Sequence, residues 1–132
     1  GVTVGILTGG IGNEEELKEA KLMRERSEIL IAMGDCAVFG GICTMRNFFD
    51  KEDVLRRGYV ETESTVDGEI PEHEDLTPLT DKVMGVGDVV PVDIYIPGCP
   101  PSADAIWYVL TELLEGRMPK LEGKVLKYGM DG

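Results

Sequence analysis

Gly34-Asp35-Cys36-Ala37-Val38-Phe39-Gly40-Gly41 follows directly on the apolar run Ile29-Leu30-Ile31-Ala32-Met33. Pro97-Gly98-Cys99-Pro100-Pro101 follows in the same way on Val92-Asp93-Ile94-Tyr95-Ile96. Each run is short, apolar and bounded by turn residues, which reads as a buried strand. Working back from the first, Val2 to Leu7 is a β-branched run that also reads as a buried strand, and Thr8-Gly9-Gly10-Ile11-Gly12 is a glycine-rich turn. Asn13 is placed to cap a helix with Glu16 at its third position. Leu17, Ala20 and Met23 give that helix one apolar stripe, and Glu14 to Glu16 at its start and Arg24 and Arg26 at its end match its dipole. Strand, turn, helix, strand is a βαβ unit, which requires parallel pairing and a right-handed crossover. Open parallel sheets take ligands outside the carboxyl ends of their strands. The three turns at Thr8–Gly12, Gly34–Gly41 and Pro97–Pro101 therefore land on one edge, where Cys36 and Cys99 converge.

The remainder of the chain is less regular. Ile42 to Phe49 is a mixed segment without a clear period. Asp50 is placed to cap a short helix through Arg57 that stops at Gly58. Residues 59–90 read as a long interface loop, rich in Glu, Asp, Thr, Gly and Pro, with one turn of helix over Asp81 to Met84; a loop of roughly thirty residues is unusual inside a compact domain. After Pro101, suited to a first helical turn, Ile106, Trp107, Leu110, Leu113 and Leu114 fall at helical spacing while Asp104, Thr111, Glu112 and Glu115 face away. Gly116 ends that helix and Pro119 prevents restart, leaving Leu121 to Gly132 to extend along a partner. The expectation is an α/β fold, one domain over residues 1–132.

Composition narrows the function. At 132 residues the chain can bury a core without staples. A net charge of −12 argues against nucleic acid and against an anionic membrane surface, both of which select Lys and Arg. No apolar run approaches the ~20 residues of a membrane span, and the stretch Gly1-Val2-Thr3 shows neither a basic region nor a cleavage site. Three cysteines make no disulfide framework, so reduced thiols or metal ligands in the cytoplasm are expected.

The chemistry rests on the thiols. Buried structural cysteines are common, but Cys36 and Cys99 both follow strands and sit among Gly or Pro. Thiolates bind soft metals, and glycine lets backbone pass close to a bulky inorganic group. Gly34, Gly40, Gly41 and Gly98 are the positions where such approach is expected. Two thiolates complete neither a tetrahedral zinc site nor a four-iron cluster. Cys43, beyond the Gly-Gly pair, reads as a free, packed thiol. His73, in Pro71-Glu72-His73-Glu74-Asp75, reads as a solvated loop histidine, leaving no Ser-His-Asp or Cys-His arrangement. Gly9-Gly10-Ile11-Gly12 lacks a phosphate-loop spacing and is followed by Glu14 to Glu16, so close packing is favoured over anion binding. Arg46 reads as a surface arginine or as the mate of a partner's carboxylate.

Three blocks carry a family resemblance: Gly-Gly-Ile-Gly-Asn-Glu-Glu at 9–15, Gly-Asp-Cys-Ala-Val-Phe-Gly-Gly-Ile-Cys-Thr-Met-Arg-Asn at 34–47, and Ile-Pro-Gly-Cys-Pro-Pro-Ser-Ala-Asp at 96–104. Together they resemble the small subunit of nickel–iron hydrogenases, most closely the cytoplasmic, bidirectional NAD-reducing type, and are similar to the related 20 kDa quinone-reductase subunit of complex I. The resemblance implies a flavodoxin-like parallel sheet with helices on both faces and one [4Fe-4S] cluster near the nickel–iron centre of a large subunit. It implies that Cys36 and Cys99 are two of the cluster's four ligands. The other two normally come from an earlier Cys-x-x-Cys turn, so an N-terminal portion outside these residues is expected to supply them. The implied function is electron transfer between the hydrogen-activating large subunit and iron–sulfur/flavin diaphorase subunits carrying FMN, as part of an oxidoreductase that reduces NAD. The alternatives are an F420-type or sulfur-reducing hydrogenase subunit, a complex I-like quinone-reductase subunit, or a cluster-free docking domain.

Overall fold

The computed structural model describes residues 1–121. Its centre is a parallel sheet of three strands in the order β1-β3-β5, with β1 at Val2–Thr8, β3 at Ser27–Met33 and β5 at Ile94–Ile96. Val4 pairs with Ile29 and Ile6 with Ile31, and Ile31 pairs in turn with Ile94. Side chains alternate across a strand, so β3 serves two cores. Leu30 and Ala32 meet Ala20, Ala37, Val86 and Val90 on one face, whereas Ile31 joins Ile94, Ile96, Ala105 and Val109 on the other. Helices α1 (Glu14–Arg26) and α2 (Asp35–Phe39) cover the first face and α4 (Ala103–Leu114) the second. Leu30, Ile31 and Ile96 are fully buried, worth about 2 kcal/mol each in transfer free energy.

The βαβ start forms as expected. Asn13 Oδ1 accepts the Glu16 N–H at 2.8 Å, and Ala20 is the buried centre of the Leu17–Ala20–Met23 stripe. Strand β1, however, is not buried: it borders β3 alone among the described strands, and Val2 and Ile6 are exposed. The expected glycine turn is shorter than its sequence suggests, because Ile11–Asn13 is a strand (β2) paired antiparallel with β4, Leu79–Met84. This corrects the reading of Asp81 to Met84 as a turn of helix. The mixed segment is a 3₁₀ helix over Gly41–Phe48. Helix α3 runs Lys51–Tyr59, through Gly58 rather than stopping there, and the Asp50 side chain makes no capping bond.

Strand β5 begins two residues later than expected because Asp93 ties to β3 through its side chain. Its N–H donates to Leu30 O at 3.0 Å, while its Oδ2 accepts the Leu30 N–H at 2.8 Å and Arg24 Nη1 at 2.9 Å. The Leu30 N–H first, then Arg24, hold the Asp93 carboxyl below its ordinary value. Helix α4 starts one residue after its cap, Ser102, whose Oγ accepts the Ala105 N–H at 3.1 Å; Pro101 stands outside the helix. It ends on a Schellman motif: Arg117 N–H donates to Glu112 O at 2.8 Å and Gly116 N–H to Leu113 O at 3.1 Å. The face it buries is Ala105 and Val109, with Leu113 packed alongside, whereas Trp107 is 71% and Leu114 86% exposed. Helix α4 is apolar on two sides, and the small side chains are the ones that let it approach the sheet. The expected tail contact falls on residues 122–132, outside the described residues.

Candidate metal centre

The carboxyl edge of the sheet assembles the two cysteine turns side by side. Where β3 ends, Gly34 turns the chain at φ +91° and its N–H donates to Ile96 O at 2.7 Å. Asp35 then makes a reciprocal tie with the second turn: its N–H donates to Gly98 O at 2.9 Å, and its Oδ1 accepts the Gly98 N–H at 2.7 Å. The residue before Cys36 is thus bonded to the residue before Cys99. Sequence reasoning misses Asp35, which only its place between Gly34 and Cys36 marks. The glycine turn after β1 reaches the same edge, since a Cβ on Gly10 would lie 3.3 Å from Cys36 O. Thr8 to Ile11, with Glu16 and Glu19, line a cavity of about 70 Å³ there, whose acidic wall does not suit an anion.

Gly34, Gly40, Gly41 and Gly98 all hold positive φ. Gly41 has the clearest bearing on the thiol: a Cβ there would sit 3.1 Å from Cys36 Sγ and from Cys36 Cα. Any side chain at 41 would crowd the sulfur. At Gly40 an added Cβ would meet Thr44, and at Gly98 the Pro100–Pro101 backbone, so those two positions fit their own turns.

Cys36 is half-buried, and Cys99 and Cys43 are exposed; all three are free thiols. Cys43 is therefore not the packed thiol expected of it. The 3₁₀ helix carries it back over α2 so that its Sγ lies 3.9 Å from Cys36 Sγ. Partial loss of water, then the hydrogen bond and charge of Cys36, push the Cys43 thiol above its ordinary value. Among the described residues no three Cys, His, Asp or Glu side chains are grouped to hold a metal. The donors present are sulfur on two glycine- and proline-framed turns, with no side chain at Gly41 to crowd Cys36 Sγ. They fit part of a thiolate-ligated iron–sulfur group, not a closed site.

Arg46 meets neither solvent alone nor a described carboxylate. Its guanidinium donates to Thr80 O at 3.1 Å and Gly12 O at 3.2 Å. Beside it Asn47 pairs with β4 as another strand would, donating to Val83 O at 2.9 Å and accepting the Val83 N–H at 2.6 Å. These two residues fix the 3₁₀ helix, and with it Cys43, against the small β2–β4 sheet. Outside the tie, Phe39, Ile42, Met45, Phe48 and Phe49 are exposed around the cysteine edge, Phe48 to 83%. His73 is a loop residue, its Nδ1 accepting the Asp75 N–H at 3.1 Å. No helix among the described residues is long and apolar enough to cross a membrane.

Residues 1–113 match the family model described as NADH ubiquinone oxidoreductase, 20 Kd subunit. Among curated proteins, the NAD-reducing hydrogenase HoxS subunit delta of Cupriavidus necator is 40% identical over 128 residues, covering 95% of this chain and 61% of that protein. The iron-sulfur subunit of the F420-non-reducing hydrogenase of Archaeoglobus profundus is 30% identical over 128 residues, covering 89% of this chain and 40% of its own length. A chain in the crystal structure of an NAD+-reducing [NiFe]-hydrogenase in the H2-reduced state superposes with a TM-score of 0.92 at 33% identity, over 96% of this chain and 72% of that one. The chain thus spans about three fifths of the length of the Cupriavidus relative.

Proposed function

The chain belongs to the NADH ubiquinone oxidoreductase 20 Kd subunit family, and from that premise we propose that it is the electron-carrying small subunit of a cytoplasmic, NAD-reducing nickel–iron hydrogenase. The observation that carries this reading is the reciprocal pair of hydrogen bonds between Asp35 and Gly98, which couples two thiol-bearing turns on the carboxyl edge of a parallel sheet. Similarity to the Cupriavidus hydrogenase subunit supports the NAD-reducing assignment.

In this reading Cys36 and Cys99 hold a [4Fe-4S] cluster, and two further thiolates come from outside the 132 residues. Such a cluster supplies one-electron redox chemistry. The chain's own residues position it: Asp35 sets the spacing of the turns, Gly41 leaves Cys36 Sγ uncrowded, and the 3₁₀ helix closes one side. In this reading none of the described residues is assigned as a catalytic acid or base. The exposed rim of Phe39, Ile42, Met45, Phe48 and Phe49 receives the large subunit with its nickel–iron centre, and electrons pass on to iron–sulfur/flavin subunits with FMN.

The test is acceptor-specific: the native assembly is given hydrogen and either NAD+ or coenzyme F420. Hydrogen-driven reduction of NAD+ that disappears with Cys99→Ala supports the proposal. Reduction of F420 alone moves the chain to the F420-type assemblies, and full NAD+ reduction with iron retained in Cys99→Ala overturns the role of Cys99.

A further inference from the structure

The electron-carrying role leaves one thiol unused. Cys43 Sγ stands 3.9 Å from Cys36 Sγ, and both cysteines are free. A disulfide bond is about 2.05 Å long, so the sulfurs need to approach by about 1.9 Å, a distance on the scale of side-chain rotation. Cys43 is exposed, so nothing packed has to be displaced when its side chain turns. The fold also supplies the approach: Gly40 and Gly41, both at positive φ, reverse the chain between α2 and the 3₁₀ helix, while Arg46 and Asn47 fix the far end of that helix on β2 and β4.

We propose that Cys36 and Cys43 form a reversible dithiol–disulfide pair in the iron-free protein, with a low-molecular-weight disulfide such as oxidised glutathione as oxidant. One cysteine sulfur attacks the glutathione disulfide, giving a mixed disulfide and one reduced glutathione. The second cysteine sulfur attacks the mixed disulfide at the protein sulfur, the Cys36–Cys43 bond forms, and the second glutathione leaves. The two cysteines lose two electrons and two protons, which the two glutathiones receive. The consequence rests on the reading of Cys36 as a cluster ligand: a Cys36 bonded to Cys43 has no thiolate to give to iron. Cys43 is then a guard that holds Cys36 in a recoverable state, in place of a lasting adduct or overoxidation, until reduction precedes cluster loading.

The experiment uses the full-length protein, stripped of iron by anaerobic chelation and exposed to oxidised glutathione. Free thiols are alkylated, and chymotrypsin cuts after the exposed Phe39, between the two cysteines. The expected result is two peptides, one with Cys36 and one with Cys43, joined until a reductant separates them. In Cys43→Ser the expected result is glutathione persisting on Cys36, because no neighbouring thiol displaces it. Separate glutathione adducts on Cys36 and Cys43 in the unaltered sequence, or a bond from Cys36 to Cys99, overturn the pair and leave the ligand reading standing. Iron uptake by the oxidised protein is measured alongside, with expected loss before reduction and recovery after it. A Cys36–Cys43 bond that leaves iron uptake undiminished overturns the guard, and the assignment of Cys36 as a ligand with it.

Discussion

The turn that carries Cys36 and the turn that carries Cys99 look equivalent in the sequence, yet the fold holds them by different means. Cys36 is part of α2, its carbonyl accepts the Gly40 N–H at 3.0 Å, and Gly10 packs against it from the first turn. Cys99 is exposed and flanked by Pro97, Pro100 and Pro101, which have no N–H to donate. Among the described residues its turn is tied by the two bonds between Gly98 and Asp35, with the Gly34 N–H on Ile96 O just ahead of it. One sulfur is placed by packing and the other chiefly through one carboxylate-bearing residue, Asp35. The spacing of the two cysteine turns therefore depends on Asp35 more than on either cysteine's own surroundings.

The comparison breaks most directly at the thiols. Cys36→Ala and Cys99→Ala are each expected to abolish iron retention and electron flow through the assembly, read by iron analysis of the purified protein. Asp35→Ala is expected next: loss of a charge-assisted acceptor costs about 2 kcal/mol of stability, and iron is retained poorly although both cysteines remain. Asp35→Asn keeps an acceptor and is expected to recover most of the iron, an outcome a merely destabilised fold would not give.

Asn47→Ala sharpens the contrast from the other side. It leaves the Val83 N–H and C=O without their partner, and is expected to cost about 1 to 2 kcal/mol in chemical denaturation, without altering the Asp35–Gly98 tie. The Asp93 clamp predicts a pH dependence. Its carboxyl is held below its unfolded value, so its stabilisation is fully present above the ordinary carboxylate range and lost as pH falls through the lowered value. Asp93→Asn should therefore be less stable than the unaltered sequence at neutral pH, with the gap closing in acid. The smallest effect is expected at Trp107→Ala: at 71% exposure it should shift the stability of the chain alone by under about 0.5 kcal/mol.

The parts of this architecture that depend on local chemistry are legible in the sequence. The Asn13 cap, the α1 stripe and the placing of both cysteines after strands follow from periodicity and turn residues. The β2–β4 pair is not legible. Strand β2 has only three residues, and the pairing shifts register between Ile11 and Asn13. In β4, Thr80 and Val83 are buried with Asp81 and Lys82 exposed between them, a spacing that imitates a helical turn. Helix α4 misleads for another reason: its large apolar residues advertise one face, but Ala105 and Val109 are small enough to bring the backbone against Ile31 and Ile96. The nearness of Cys43 to Cys36 depends on the reversal at Gly40–Gly41 and on the Arg46 and Asn47 bonds to strands that the sequence conceals.

The central claim, that the two tied turns hold an iron–sulfur group, is met most directly by one measurement. Iron and acid-labile sulfide are determined per chain on the full-length protein purified without oxygen from its native source. The account predicts about four of each. Protein that is folded, full length and free of both would contradict it, leaving this edge of the sheet as a docking surface without a cluster.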